Sequence, residues 1–205
     1  MIKTLFIPAK SKQKINSEKI SEISKSLPKN LAIAYSVQYQ DIAVNIKKIL
    51  SETHEITNFI QVLGCSNPKL EKKTQAILLI SDGKFHAVSL ALATKLPVYL
   101  LSNNKLEKIS ETEVHNLEKR QKSAYLKYLH ADKVGILVST KPGQQNLRKA
   151  IELKNQMKNK KSYIFLSNNI NTTEFENFQI DSWVNTACPR MDLNNGLVLN
   201  ANKII

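Results

Sequence analysis

The alternation of short apolar runs with amphipathic stretches is the feature that most limits what this chain can fold into. Because strands that alternate with helices pair in parallel through βαβ units, this order predicts an α/β fold with parallel sheets. The predicted strands are residues 4–7, 31–36, 76–80, 98–101, 134–139, 162–166 and 182–186. The predicted helices are residues 17–27, 41–50, 84–94, 111–130 and 144–158.

The segment 111–130 separates two sets of predicted strands and helices. It is long and charged, and Leu117, Ala124 and Leu129 are its candidate buried positions. We therefore predict two related parallel-sheet βα domains, joined by a long charged helix, with a boundary near residue 120. The first of these domains would span residues 30–120 and the second residues 121–205.

The charge of the chain favours acidic partners without identifying one. Thirty Lys and Arg against seventeen Asp and Glu leave a net charge of +13, which can attract nucleic acid, ribosomes or an acidic protein face. The lysines are dispersed and no aromatic residues are interleaved with them as in an RNA-binding motif. A solvated basic surface is thus favoured over RNA binding.

The chain contains no candidate membrane or export segment. No apolar run approaches the roughly 20 residues that a membrane-spanning helix needs, and the first twelve residues become polar too early for a signal peptide. We expect a cytoplasmic protein with no membrane partner.

The two cysteines, Cys65 and Cys188, lie too far apart in sequence for a local metal motif. In a reducing compartment a disulfide is improbable, and spacing alone favours buried, inert thiols. Their surroundings indicate more than this. Gly64 precedes Cys65 and allows a bulky group to approach, whereas Pro189 follows Cys188 and fixes the direction in which the chain leaves it.

Two further polar motifs, and Arg190 beside Cys188, lie at loops after predicted strands, where functional residues of open α/β sheets gather. Residues 81–86 and 139–144 each precede a predicted helix, whose free amides can bind an anion or carboxylate, although both motifs also suit ordinary turns and caps. Arg190 can favour the thiolate of Cys188, bind a carboxylate, or form a surface ion pair. The candidate residues in the two loops are Asp82, Gly83, His86, Lys141, Gly143 and Gln144.

Taken in order, five stretches resemble the diphthamide-synthesis radical S-adenosylmethionine enzymes, the 2-(3-amino-3-carboxypropyl)histidine synthase family. The resemblance covers nearly the whole chain, and the last two stretches are the most specific. The stretches are SVQY at 36–39, VLGCS at 62–66, SDGKFHAVSLALAT at 81–94, VSTKPGQ at 138–144 and VNTACPR at 184–190.

The resemblance implies three related α/β domains, each of which contributes one cysteine to a 4Fe-4S cluster. Cys65 then matches the ligand of the second domain and Cys188 that of the third. Residues 1–29 resemble the last strand and connecting helix of the first domain, and the rest of that domain has no counterpart here. The third ligand would come from a separate first-domain polypeptide or from a paralogous subunit.

The resemblance also implies a reaction. With an electron from a donor, the cluster would cleave S-adenosylmethionine and transfer its 3-amino-3-carboxypropyl group to a histidine of translation elongation factor 2. This is the first step of diphthamide synthesis, and it requires no catalytic residue beyond the cluster ligands. The substrate-binding candidates are Gln38, Asp82, Gly83, His86, Lys141, Gly143, Gln144 and Arg190. The alternatives are a non-catalytic companion subunit of that enzyme and a basic module that binds RNA or ribosomes.

Overall fold

A computed structural model describes residues 4–5, 7, 9–13, 16–191 and 197–204. The chain divides into two compact units, Met1–His115 and Asn116–Ile205. Each unit has its own sheet of wholly or mostly parallel strands, and the predicted α/β class is confirmed. The division falls within one long helix, the same helix that contains the predicted boundary near residue 120.

The first unit is built on a five-stranded sheet in the order β2-β1-β3-β4-β5. The first four of these strands run parallel, and β5 is antiparallel to β4. Its strands are β1 (Asn30–Tyr35), β2 (Glu55–Gln61), β3 (Ala76–Ile80), β4 (Val98–Ser102) and β5 (Lys105–Lys108). Its helices are α1 (Ser17–Ser24), α2 (Gln40–Leu50), α3 (Lys84–Thr94) and the start of α4 (Glu111–His130).

Strands β1 and β3 are buried because helices cover both faces of the sheet. On one face α1 and α2 contribute Ile20, Ile46 and Leu50 to a core that includes residues of both strands. On the other face α3 contributes Ala87 and Leu90. Burial on both faces explains why β1 and β3 are almost continuously apolar.

The hairpin between β4 and β5 depends on two asparagines. Asn103 and Asn104 both have positive φ, 50° and 58°, the conformation that a tight two-residue hairpin turn requires. Asparagine tolerates this region better than most residues with a side chain. The charged sequence of β5 follows from its place at the exposed edge of the sheet.

Helix α4 begins with a reciprocal cap between Ser110 and Glu113. The backbone N–H of Glu113 donates to Ser110 Oγ at 3.2 Å, and the N–H of Ser110 donates to Glu113 Oε2 at 3.1 Å. These backbone and side-chain hydrogen bonds with Ser110, together with nearby Lys84, lower the pKa of Glu113. Such a capping box defines where the helix starts.

The second unit has four parallel strands in the order β7-β6-β8-β9. When the strands of this unit are numbered along the chain, they lie side by side as second, first, third and fourth. The four parallel strands of the first unit lie in the same order. Ala124 and Tyr128 of α4 pack on one face of this sheet with α5. Its elements after α4 are β6 (Lys133–Ser139), α5 (Leu147–Gln156), β7 (Lys161–Ser167), β8 (Ser182–Asn185) and β9 (Val198–Asn200).

An aromatic cluster covers the other face of the second sheet. Trp183 stacks on Phe175 with ring centroids 4.1 Å apart, and Phe165 meets it edge-on at 4.8 Å. Gly135, the neighbour of Trp183 on β6, lies so close to the indole that a Cβ there would overlap it. Glycine at residue 135 therefore leaves the space that the indole ring of Trp183 occupies.

Some predicted elements need correction. Of the predicted strand 4–7, the described residues Thr4, Leu5 and Ile7 are in no strand. Leu5 and Ile7 are largely exposed, because apolar character alone does not make a strand where no neighbour pairs with its backbone. The predicted helix 144–158 is shorter, since Gln144 lies in a turn ahead of α5. Strands β2, β5 and β9 were not predicted.

Among the described residues, no helix combines the length and the apolar character that crossing a lipid bilayer requires.

Candidate functional site

A pocket of about 240 Å³ lies at the carboxyl ends of β1 and β3 in the first unit. Three predicted substrate-binding residues, Gln38, Asp82 and His86, line it together although they are distant in sequence. The carboxyl ends of parallel strands are the usual place for a binding site in this class of fold. The other lining residues are Ala9, Lys10, Ser11, Ser36, Tyr39 and Ser81.

The segment 9–13 forms part of the pocket wall. The backbone N–H of Ser11 donates to the carbonyl of Gln38 at 2.8 Å, and Lys10 Nζ lies 2.7 Å from Asp41 Oδ2. Both groups of that ion pair are exposed, so the pair itself adds little stability. The segment thus brings a cation and a hydroxyl to the pocket.

Asp82 and Tyr39 form the polar centre of the pocket. Burial raises the pKa of Tyr39 to about 12, with further contributions from its hydrogen bond to Asp82 and the charge of that carboxylate, whereas Ser11 acts in the opposite direction. The hydroxyl of Ser102 donates to Asp82 Oδ1 at 3.2 Å. Two protein hydroxyls therefore orient a carboxylate that is itself exposed.

Helix α3 starts at the edge of the same pocket. Gly83 precedes it with φ of 79°, and no side chain caps the helix. The dipole of the helix favours an anion at this end. Ser81 Oγ lies 3.5 Å from His86 Nδ1, which brings the imidazole to the end of β3.

Cys65 lies in an exposed turn beyond β2. The N–H of Leu63 donates to Ser66 Oγ at 2.8 Å, and the N–H of Ser66 donates back to the carbonyl of Leu63 at 3.0 Å. The thiol is free and exposed. A Cβ on Gly64 would overlap the ring of Phe85 in α3, so the glycine accommodates a protein side chain and seats the cysteine turn on that helix.

Cys188 follows β8, at the carboxyl edge of the second sheet. Its thiol is free and partly exposed. The loop begins against β6, where the hydroxyl of Thr186 donates to the carbonyl of Leu137 at 2.8 Å. Asn146, just ahead of α5, donates to the carbonyl of Thr186 at 2.7 Å.

That last hydrogen bond joins the two loops in which the remaining predicted residues lie. The N–H of Gln144 donates to the carbonyl of Lys141 at 3.0 Å, and Gly143 has φ of 78°, so residues 141–144 form a turn. Lys141 and Arg190 are exposed. The structure therefore brings the predicted residues of the second unit to one edge of its sheet.

The two cysteines suit one kind of metal centre. Thiolates are the usual protein ligands of iron-sulfur clusters, and both thiols are free and at least partly accessible. Among the described residues, no three His, Cys, Asp or Glu side chains form a group that could hold a metal ion. Each cysteine can thus provide one ligand, and a complete cluster site needs more.

Tyr39 and Ser102 both contact Asp82 but were not among the predicted site residues. Tyr39 is the last residue of the quoted stretch at 36–39, so its motif did indicate it. Ser102 ends β4, whose position beside β3 is known only from the sheet.

Residues 1–197 match the family model described as "Putative diphthamide synthesis protein". The 2-(3-amino-3-carboxypropyl)histidine synthase of Pyrococcus horikoshii is 28% identical over an alignment of 207 positions, which covers 94% of this chain and 60% of that protein. Subunit 1 of the corresponding synthase from Schizosaccharomyces pombe is 32% identical over 148 residues, covering 69% of this chain and 34% of its own.

Solved structures agree with the sequence matches. The crystal structure of Dph2 from Pyrococcus horikoshii superposes with a TM-score of 0.76 at 26% identity, over 91% of this chain and 59% of that one. The crystal structure of the same protein with a 4Fe-4S cluster gives a TM-score of 0.75 at 27% identity. The chain belongs to the diphthamide synthesis protein family. It spans about 60% of the length of the Pyrococcus relative.

Proposed function

We propose that this chain is the cluster-binding and substrate-binding part of an enzyme that transfers a 3-amino-3-carboxypropyl group from S-adenosylmethionine to a histidine of translation elongation factor 2. The observation that carries the proposal is the position of Cys65 and Cys188. Both thiols are free, at least partly accessible, and located in loops beyond the carboxyl ends of parallel strands. The relative with a solved 4Fe-4S cluster supports this reading.

Cys65 and Cys188 would each ligate one iron of a 4Fe-4S cluster. When bound, that cluster would supply the electron that cleaves S-adenosylmethionine, and an external donor would replace that electron. The role of this chain's own residues is to hold the thiols, bind the cosubstrate and shape the pocket.

The pocket of the first unit would hold the methionine end of S-adenosylmethionine. The carboxylate of Asp82, oriented by Tyr39 and Ser102, suits a protonated amino group. The uncapped start of α3 and the ammonium of Lys10 suit the carboxylate of the ligand. Gln38 and His86 would complete the wall.

The loops of the second unit contain the other candidate groups for binding a ligand. They contain exposed cationic and amide groups at the same sheet edge as Cys188, which suits recognition of a carboxylate. The residues are Lys141, Gly143, Gln144 and Arg190.

A third thiolate would come from outside these 205 residues, since the chain contains two cysteines. A separate first-domain polypeptide or a paralogous subunit would supply it. The domain assignment under this proposal is 1–29 for the segment that joins the first domain, 30–120 for the second and 121–205 for the third.

The test is anaerobic reconstitution of the assembled enzyme with iron and sulfide, for the original chain and for the Cys65→Ala and Cys188→Ala variants. Loss of cluster absorbance and of transfer to elongation factor 2 in both variants is expected. Asn67→Ala, an exposed change two residues from Cys65, is the matched control and should keep both. An active, cluster-containing Cys188→Ala enzyme would contradict the proposal.

The alternative that must be distinguished from the proposed function is a non-catalytic companion subunit of the enzyme. In that case, both alanine variants would support full transfer when combined with a complete three-cysteine paralogue.

A further inference from the structure

Two buried asparagines hold the loop that carries Cys188. Asn185 is the last residue of β8 and Asn200 the last of β9, and they are paired neighbours in the parallel sheet. Their exposed fractions are 2% and 5%. A buried amide is costly unless its hydrogen bonds are formed, so the partners of these two side chains are informative.

The partners are backbone groups around the cysteine. Asn185 Nδ2 donates to the carbonyl of Cys188 at 2.8 Å and to Asn200 Oδ1 at 2.7 Å, and Asn185 Oδ1 accepts from the N–H of Ala187 at 2.9 Å. Asn200 Nδ2 donates to the carbonyl of Pro189 at 2.9 Å. The pair thereby ties down three consecutive residues with the cysteine at their centre.

This arrangement limits the directions in which the thiol can point. Hydrogen bonds before and after residue 188 fix its Cα, and a fixed Cα limits the positions that Sγ can reach. A ligand that is already ordered loses less conformational entropy when it binds, and precise sites are those whose supporting groups are themselves locked. Neither asparagine needs to touch an iron for this effect.

We propose that Asn185 and Asn200 are positioning residues that present the thiol of Cys188 for cluster ligation. The inference rests on the proposed function, because it takes Cys188 to be a ligand. It goes further in assigning a role to two residues that are not cluster ligands, one of them on a strand that the sequence did not reveal.

The test compares Asn185→Ala and Asn200→Ala with a control at the opposite end of β8. Asp181 precedes that strand, and its Oδ2 accepts from the N–H groups of Asp132 and Lys133 at 3.1 and 2.8 Å. Asp181→Ala thus removes the hydrogen bonds that link the start of β8 to the start of β6, without touching the cysteine loop. The milder Asn200→Ser keeps a hydroxyl donor and serves if an alanine variant fails to fold.

Three quantities are measured on the full chain: the free energy of unfolding, the alkylation rate of Cys188 in a Cys65→Ser background without cluster, and the rate at which a chelator removes the cluster from the assembled enzyme. Changes to groups that orient metal ligands typically weaken binding 10- to 100-fold, so we expect cluster removal to become roughly 10-fold faster in the asparagine variants. Alkylation should also become faster, because the freed loop exposes the thiol. Asp181→Ala should lower stability and leave both rates unchanged.

Asparagine variants with unchanged alkylation and cluster removal, at a loss of stability like that of Asp181→Ala, would overturn the positioning role. The proposed function fails separately, if Cys188→Ala keeps its cluster. The alkylation rate distinguishes the two failures, because it is measured without a cluster.

Discussion

Asp82 shows how single residues of the pocket depend on their neighbours. Its carboxylate is exposed, yet the hydroxyls of Tyr39 and Ser102 both donate to it. Tyr39 is 4% exposed, and burial together with Asp82 raises its pKa to about 12. The phenol therefore stays protonated and remains a donor throughout the physiological range.

Tyr39→Phe should change the alkaline limb of the stability curve. A pKa of about 12 in the folded state, above the ordinary 10, means that the contribution of Tyr39 is complete below pH 10 and is lost as the pH rises to 12. The loss is at most about 3 kcal/mol for a shift of this size. Urea unfolding from pH 8 to 12 measures it: the advantage of the original chain over Tyr39→Phe should shrink above pH 10. A constant difference would contradict the assignment.

Asp82→Asn should weaken binding of S-adenosylmethionine by the assembled enzyme. The substitution keeps the size of the side chain but removes the negative charge that would face the ligand ammonium under the proposed function, and a charge-assisted hydrogen bond contributes about 1.5–3 kcal/mol. Calorimetric titration is the measurement, with the exposed Glu18→Gln on α1 as the control. Unchanged affinity in Asp82→Asn would exclude it from the binding site.

At the scale of elements, the turn that carries Cys65 depends on contact between a loop and a helix. Gly64 lies against the ring of Phe85 in the first turn of α3. Gly83, just before the same helix, has open space around it but positive φ. The two glycines are thus required for different physical reasons, one for close packing and the other for its backbone conformation.

Gly64→Ala should destabilise the first unit by about 2 kcal/mol through overpacking against Phe85. The double variant with Phe85→Leu should recover part of that loss, since the smaller side chain makes room for the added methyl group. Thermal or urea unfolding of the single and double variants gives the coupling energy.

The double variant of Gly83→Ala and Phe85→Leu is the comparison, because an added Cβ at residue 83 would meet no neighbour. Gly83→Ala should lower the free energy of unfolding through backbone strain, so the effects of the two substitutions on that free energy should add. If the effects of Gly64→Ala and Phe85→Leu also added, the packing contact would not be the cause of the destabilisation.

At the scale of the whole molecule, the two units repeat one order of parallel strands but carry their cysteines at different places. Cys65 follows the second strand of its unit, at the edge of the sheet, whereas Cys188 follows the third strand of its unit. The end of the third strand in the first unit instead bears Asp82 and Gly83. Under the proposed function, the repeated fold would serve ligation at one strand end and the pocket at another.

The count of cysteines leads to a prediction for the full chain. With two thiolates, reconstitution of the chain alone should yield less than one stable 4Fe-4S cluster per chain, because an incompletely ligated cluster exchanges readily. Addition of a polypeptide that carries a first domain with its cysteine should raise the iron and sulfide content. The same addition with that cysteine changed to alanine is the control. A full, chelator-resistant cluster in the chain alone would contradict the prediction.

Much of the fold could be predicted from the chain, because hydrophobic periodicity reports local structure. The helix Lys84–Thr94 and the strand Ala76–Ile80 lie where the pattern predicted them, and the α/β class follows from their alternation. Strand β5 escaped prediction because an edge strand made of charged residues has no apolar pattern. Strand β9 is three residues long, too short for a periodicity to be recognised.

The sequence by itself determined most of the elements, the family and the cysteine motifs, since each of these depends on residues close together along the chain. Only the tertiary structure decided which distant residues meet. Tyr39 meets Asp82 because β1 and β3 are adjacent, and Asn185 meets Asn200 because β8 pairs with β9. The physical reason is that strand pairing depends on residues far apart in sequence, because the pairing that forms is the one that buries both faces of the sheet at once. No single stretch of sequence therefore specifies it.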